Sequence, residues 1–335
     1  MRNKILLIMF LICVLVFGAY VSVTSVNANA SAAAEIAMEL TTGTVLEEGN
    51  ADCKLPMAST TKIMTAIIIV EDCDLDEVIT VPDAAVGVEG SSIYLKKGEE
   101  IDIRDLLYGL MLRSGNDSAT ALAIHHSGSV EKFVEEMNAR AANIGAVHTH
   151  FTNPSGLPDD EHYTTARDLC NIACYAMRNE TFKTVVSTRS HKGNFRSYAN
   201  KNKMLYSYDG ANGVKTGYTL KAGRCLVSSA ERNGMDVVTV VLNCPDMYER
   251  SKTLLDNAFN NFKLLSLSEN KLFMSGRVLC KLAKSHNLVV KIDENLDFKV
   301  IPLVESKKVN SGDLVAELQI YDSNGLIFKE NLYSI

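Results

Sequence analysis

The sequence predicts an α/β chain of the α+β kind: an antiparallel sheet flanked by helices, followed by a small all-β C-terminal domain. Three observations lead there. A strand hairpin over 36–46 is separated by a long stretch of helical spacing from three further strand-like runs, 214–219, 224–229 and 237–242. The last of these runs is followed by one helix, residues 249–262, that packs on the sheet. Past Leu265 helical spacing vanishes, and short strands with Asn310-Ser-Gly and Ser323-Asn-Gly turns take its place.

The chain has 335 residues, 22% charged and 47% hydrophobic, the balance of one large or two modest globular domains. Its net charge is −6, and residues 1–30 carry only Arg2 and Lys4, which leaves about −8 for the remainder. That balance argues against nucleic acid as a partner and against a polybasic membrane patch. Met1-Arg-Asn-Lys4 and the apolar run 5–19 form a basic region and a hydrophobic region, and Ala28-Asn29-Ala30 offers a small-residue cleavage site. A signal peptide over 1–30 is the expectation, with an uncleaved membrane anchor as its alternative. No small residue precedes Cys13 closely enough for a lipoprotein site. Without the leader seven of the eight cysteines remain, an odd number without framework spacing, so free thiols are expected.

In order along the chain, 36–40 and 44–46 are strands joined at Thr42-Gly43. Pro56 suits the start of a helix, and the apolar run 63–70 makes that helix buried on nearly every side. Residues 78–81 and 92–95 are expected as short strands, and 103–111 as a helix with Asp102 or Asp105 near its start. Asp117 is a candidate cap for a helix to His126; 130–143 and 165–178 are further helices. Asn153-Pro-Ser-Gly-Leu-Pro158 is a loop, and Asn212-Gly213 is a hairpin signal. The C-terminal strands are 277–282, 288–292, 298–303, 314–321 and 326–332. Domain boundaries are accordingly drawn at 31–265 for the larger domain and 276–335 for a small β-sandwich-like module.

Chemistry concentrates in three motifs. In Ser59-Thr60-Thr61-Lys62 the lysine lies one helical turn from the serine and on the same face, so its nitrogen can point at Oγ. A serine hydroxyl needs such a base to become a nucleophile, and a lysine at the mouth of a buried helix loses hydration, which lowers its pKa. The spacing recurs at Ser129/Lys132 and Ser268/Lys271, but only Ser59 is followed in order by Ser114-Gly115-Asn116 and Lys215-Thr216-Gly217. That ordered triple is the signature of penicillin-binding proteins and class A β-lactamases.

From about residue 36 to 262 the chain resembles the serine D-alanyl-D-alanine carboxypeptidases, the low-molecular-mass penicillin-binding proteins. Thr41-Thr-Gly-Thr-Val-Leu46, Asn153-Pro-Ser-Gly-Leu157 and Ala222-Gly223-Arg-Cys-Leu226 look like further family segments. The resemblance implies a penicillin-binding/β-lactamase-like transpeptidase fold, no cofactor, and peptidoglycan stem peptides and β-lactams as partners. It implies that Ser59 attacks the carbonyl between two terminal D-alanines, that Lys62 is the base, and that Ser114 relays a proton to the leaving amine. Asn116 would hold Lys62 and the substrate amide. Lys215 and Thr216 would meet the terminal carboxylate, Gly217 would let the strand approach, and the backbone N–H groups of Ser59 and Tyr218 would form the oxyanion hole. Arg250 stands later than a family arginine before the closing helix, which leaves its part in carboxylate binding open.

Rival chemistries fit less well. The seven histidines include His125-His126 and His148-Thr-His150 but no His-Glu-x-x-His, so metal catalysis is not expected. Glu161 would be the carboxylate of a β-lactamase, yet it lacks the Glu-x-x-x-Asn pattern, position 165 being Thr165. A D,D-endopeptidase that cuts cross-links uses the same chemistry and stays open, as does a β-lactam sensor that acylates and stalls. Residues 328–335 continue a strand alternation and are too few for an amphipathic anchor helix, so an extracytoplasmic enzyme without a C-terminal membrane anchor is expected.

Overall fold

The structure, a computed structural model, describes residues 32–304 and 309–335. The leader expected over 1–30 therefore lies outside the described residues. At the centre stands the strand Met235–Leu242, apolar except for Asp236 and Thr239 and buried on both faces from Val237 onward. It pairs antiparallel with Ala34–Glu39 on one side and Gly223–Arg232 on the other. Val45–Gly49 and Ala211–Thr219 add the two edges of this five-stranded sheet. Strands from the two ends of the larger region thus meet side by side, with Ile36 opposite Val240.

The two faces of the sheet bury different layers. Under one face Val214, Val227, Val238 and Val240 share a core with the helices Lys62–Asp72, Ile103–Arg113, Asn116–Ser127 and Ala166–Met177. On the other, Leu254, Leu255 and Ala258 of the helix Met247–Asn261 pack on Leu226, Val237 and Val241. Every residue from Lys62 to Ile69 is buried, so the helix they form is the hub of the first layer. Each of its fully buried isoleucines contributes roughly 2–3 kcal/mol relative to exposure. Side-chain caps define the neighbouring helices: Asp102, Ser129 and Thr165 accept the N–H three residues on.

Two local expectations give way to side-chain hydrogen bonding. Residues 92–95 form no strand. The Asp117 carboxylate accepts from Ile93 N and Leu95 N, at 3.0–3.1 Å, and from the Ser92 hydroxyl, so their donors are taken before a ladder can use them. Glu100–Asp102 pairs with Val78–Thr80 instead. Asp117 consequently lies in the first turn of Asn116–Ser127 rather than capping it; Gly115 is the cap position. Asn212-Gly213 likewise makes no hairpin turn. Both residues belong to the edge strand Ala211–Thr219, where the Asn212 side chain is held by Ser229 and Asp236.

The C-terminal strands begin at once where the last helix ends. Phe262–Leu267 pairs with His286–Lys291. Leu272–Ser275, Val278–Leu282, Gly325–Ser334, Leu314–Asp322 and Asp297–Pro302 follow one another across a second five-stranded sheet. Leu267, Cys280, Leu318, Ile320 and Leu332 form its core. Phe262–Leu267 and Leu272–Ser275 add to the five strands expected from sequence, because Phe262 and Leu264 pack back on the large region while Leu265 packs on the small one. Among the described residues no helix is long and apolar enough to cross a membrane, and Cys53, Cys73, Cys170, Cys174, Cys225 and Cys280 are free thiols.

Candidate active site

Ser59 sits one step outside the α-helix, on a 3-10 turn over Ala58–Thr61 that leads into Lys62–Asp72. Residues i and i+3 eclipse in such a turn, which stacks Lys62 on Ser59 with Nζ 3.0 Å from Oγ. The lysine is wholly buried, and its nitrogen also reaches Asn116 Oδ1 at 2.7 Å and the Ser155 carbonyl at 2.5 Å. Burial holds its pKa well below the ordinary 10.5, and the nearby positive charge of Lys215 pushes the same way. A neutral amine has two N–H donors and one lone pair. With Asn116 and Ser155 taking the donors, the lone pair is left for the Ser59 hydroxyl proton.

The loop that supplies the Ser155 carbonyl is built by one side chain. Asn153 Oδ1 accepts from Ser155, Gly156 and Leu157 N–H groups at 2.7–3.2 Å. Thr65 Oγ1 ties the same loop to the helix through the Pro154 carbonyl, 2.7 Å away.

Ser114 ends the helix Ile103–Arg113 in the left-handed region, φ 66°, and is nearly buried. Gly115 follows: a Cβ there would stand 2.8 Å from both Asp117 Oδ1 and Ser118 Oγ, so a larger residue would displace those side chains. The tight corner delivers Asn116, whose Nδ2 donates to the Glu89 carbonyl at 2.6 Å while its oxygen meets Lys62. The amide is therefore gripped at both ends, with one N–H of Nδ2 left over.

Lys215-Thr216-Gly217 lies on the edge strand Ala211–Thr219, against the turn Ala58–Thr61. A Cβ on Gly217 would lie 3.1 Å from Ser59 N and 3.1 Å from the Met57 carbonyl, so any larger residue would push the strand from the turn. Lys215 is almost fully buried and donates to the Thr216 carbonyl at 2.8 Å. Burial, with repulsion from Lys201, brings its pKa down to about 7. Thr216 is half-buried, and the Tyr218 side chain is exposed.

Sequence reasoning missed several participants. The carbonyls of Ser155 and Glu89 carry no side-chain signal at all. Lys201 depresses the pKa of both Lys62 and Lys215, yet it stands in an unremarkable Asn200-Lys-Asn run. Other candidates fall away from the site. Arg250 is clamped by Glu35 at 2.6 and 2.7 Å and by Glu47 at 2.9 Å, on the strands opposite the Lys215 edge. Glu161 is exposed. His125 and His126 face Glu77 and Asp72, and among the described residues no His, Cys, Asp and Glu cluster could hold a metal. A cleft of about 450 Å³ lined by Leu46, Glu47, Asn257, Phe262 and Lys291 lies away from Ser59 and holds no serine–lysine pair.

The sequence profile of the D-alanyl-D-alanine carboxypeptidase family matches residues 21–246. The chain belongs to that family. A D-alanyl-D-alanine carboxypeptidase of Bacillus subtilis is 31% identical over 301 residues, 86% of this chain and 76% of that protein. One from Streptomyces sp. strain K15 is 40% identical over 228 residues, 62% of this chain and 78% of its own length. Among solved structures, penicillin-binding protein 5 of Haemophilus influenzae superposes with a TM-score of 0.78 at 26% identity, covering 91% of this chain and 96% of that one. A mutant of the Streptomyces K15 DD-transpeptidase gives 0.66 at 35% identity, over 68% of this chain and 98% of its own. The family's fold is therefore the fold of this chain, with the C-terminal all-β region included in the longer match.

Proposed function

We propose that this serine D-alanyl-D-alanine carboxypeptidase removes the terminal D-alanine of peptidoglycan stem pentapeptides through an acyl-enzyme on Ser59, and that β-lactams inhibit it by acylating the same oxygen. The observation that carries the proposal is the buried Lys62 amine, 3.0 Å from Ser59 Oγ with its other contacts already taken.

Lys62 accepts the hydroxyl proton as Oγ bonds to the carbonyl carbon between the two D-alanines. The resulting oxyanion lies between the N–H groups of Ser59 and Tyr218, each donor supplying roughly 3–4 kcal/mol of transition-state stabilisation. Ser114 passes a proton to the leaving nitrogen, the C–N bond breaks, and D-alanine departs. Water then adds to the ester carbonyl, its proton taken by the same base, and the shortened peptide leaves. Lys215 and Thr216 select a substrate that ends in a free carboxylate, a cation and a hydroxyl placed side by side for one anion; Asn116 holds Lys62 and presents its spare N–H to the substrate backbone.

In this reading residues 31–265 are the catalytic domain and 276–335 a spacing or docking module, working outside the cytoplasm after removal of residues 1–30. Product analysis with a pentapeptide and a cross-linked muropeptide tests it. Release of D-alanine from the pentapeptide is expected; cleavage of the cross-link alone would make the enzyme an endopeptidase, and a stable adduct without turnover a sensor.

A further inference from the structure

Ala58, the residue before the nucleophile, has a φ of 48°, a left-handed conformation that costs an L-residue roughly 1–2 kcal/mol. Something must hold it there. Its carbonyl accepts the Thr61 hydroxyl at 2.8 Å, and Thr61 Oγ1 is in turn 2.7 Å from Nε2 of the buried His162. The other ring nitrogen, Nδ1, faces the Thr152 N–H at 3.0 Å. An N–H can only donate, so Nδ1 accepts and the ring proton sits on Nε2. The hydrogen bonds then run in one direction, from Thr152 N–H through His162 to the Thr61 hydroxyl and on to the Ala58 carbonyl. The loop backbone closes the same side: a Cβ on Gly156 would stand 1.9 Å from the Ala58 oxygen.

In a trans peptide the C=O and the following N–H point in opposite directions. Fixing the Ala58 carbonyl on the loop side therefore turns the Ser59 N–H to the other side. That is where the edge strand lies, with the Cβ position of Gly217 3.1 Å from Ser59 N.

We propose that Thr61 and His162 are positioning residues that aim the Ser59 N–H into the oxyanion hole by anchoring the Ala58 carbonyl, without touching substrate themselves. The inference rests on the acyl-enzyme reading above. Burial holds the His162 pKa at about 4, so the ring keeps the single proton this relay needs.

Thr61→Val keeps the shape and removes the hydroxyl; Thr61→Ser restores it. With the full chain and a fluorescent penicillin, Thr61→Val is expected to slow the acylation step about 100-fold, as misaiming of an oxyanion donor does. Affinity of the initial non-covalent complex and the melting temperature stay close to wild type. Thr61→Ser recovers most of the rate, and His162→Phe, which leaves the hydroxyl but not its orientation, loses about tenfold. Affinity for a peptide boronate, whose adduct on Ser59 fills the oxyanion hole, falls in step with the rate. Acylation of Thr61→Val at the wild-type rate overturns the inference, as does failure of Thr61→Ser to recover, or a rate loss matched by loss of ground-state binding. A wild-type chain that is not acylated on Ser59 instead removes the function reading, and this inference with it.

Discussion

Ser59 and Lys62 are three residues apart, and so are Ser129 and Lys132, yet the two pairs have opposite fates. Ser129 caps the helix Val130–Ile144: its oxygen accepts the Lys132 backbone N–H at 3.3 Å, and the Lys132 side chain is exposed. A serine so committed serves the backbone, and a lysine side chain in water keeps its hydration. Ser59 has no such duty, and Lys62 is sealed under the sheet where the charged form is penalised. The spacing is the same in both places; only at Lys62 does burial penalise the charged amine.

The comparison is broken most severely at its own residues. Ser59→Ala should abolish labelling by penicillin, and Lys62→Ala should slow acylation by roughly 10³-fold, the scale of a lost general base. Ser129→Ala and Lys132→Ala should leave the rate unchanged. Tryptic mass mapping of the adduct checks this, and an adduct on Ser129 would sink the assignment.

Next in size is the contrast between the two buried lysines. In the proposed mechanism Lys62 acts neutral, whereas Lys215 meets a carboxylate as a cation, and its pKa is about 7. The pH profile of kcat/KM, which reports the free enzyme, should therefore be bell-shaped, its alkaline limb starting near neutrality. Lys215→Arg, whose charge does not titrate in this range, should lift that limb. Lys215→Ala should erase most of the preference for a free over an amidated C-terminus; an undiminished preference would place the carboxylate site elsewhere.

The same depressed pKa makes a stability prediction. The unfolded chain binds the Lys215 proton below about 10.5, the folded protein only below about 7. Between those values the unfolded state carries more protons, so this contribution to stability rises with pH across the window and is lost as pH falls toward 7. Denaturant titrations of wild type and Lys215→Met at pH 7 and pH 9.5 should show wild type gaining on the variant at the higher pH.

Smaller still, Gly217→Ala should cost about tenfold in acylation rate, because a Cβ 3.1 Å from Ser59 N must push the strand from the turn. The smallest expected effect is on Ser129→Ala, about 1 kcal/mol of stability for a lost cap, read by denaturant midpoint with activity intact.

Much of this was legible beforehand. The order of the three motifs singled out Ser59 as the candidate over the two other spacings, and the apolar run after it announced a buried helix, Lys62–Asp72. Residues 214–219, 224–229 and 237–242 pair as neighbours in the structure. What escaped were places where a side chain distant in sequence takes over backbone hydrogen bonds. Asp117 removed the strand at 92–95, and Ser229 with Asp236 kept Asn212 in a strand. Arg250 has a plausible position in the sequence and is nonetheless held by Glu35 and Glu47.

By itself the sequence determined which residues are able to do chemistry and which elements carry them, because side-chain type, spacing and apolar period are local properties. Only the tertiary structure decided which serine–lysine pair loses its water, which carbonyls grip Lys62 and which way the Ser59 N–H points. Those depend on burial and on hydrogen bonds between positions as far apart as Lys62 and Ser155 or Thr61 and His162. A desolvation penalty exists only once the chain has closed over the group.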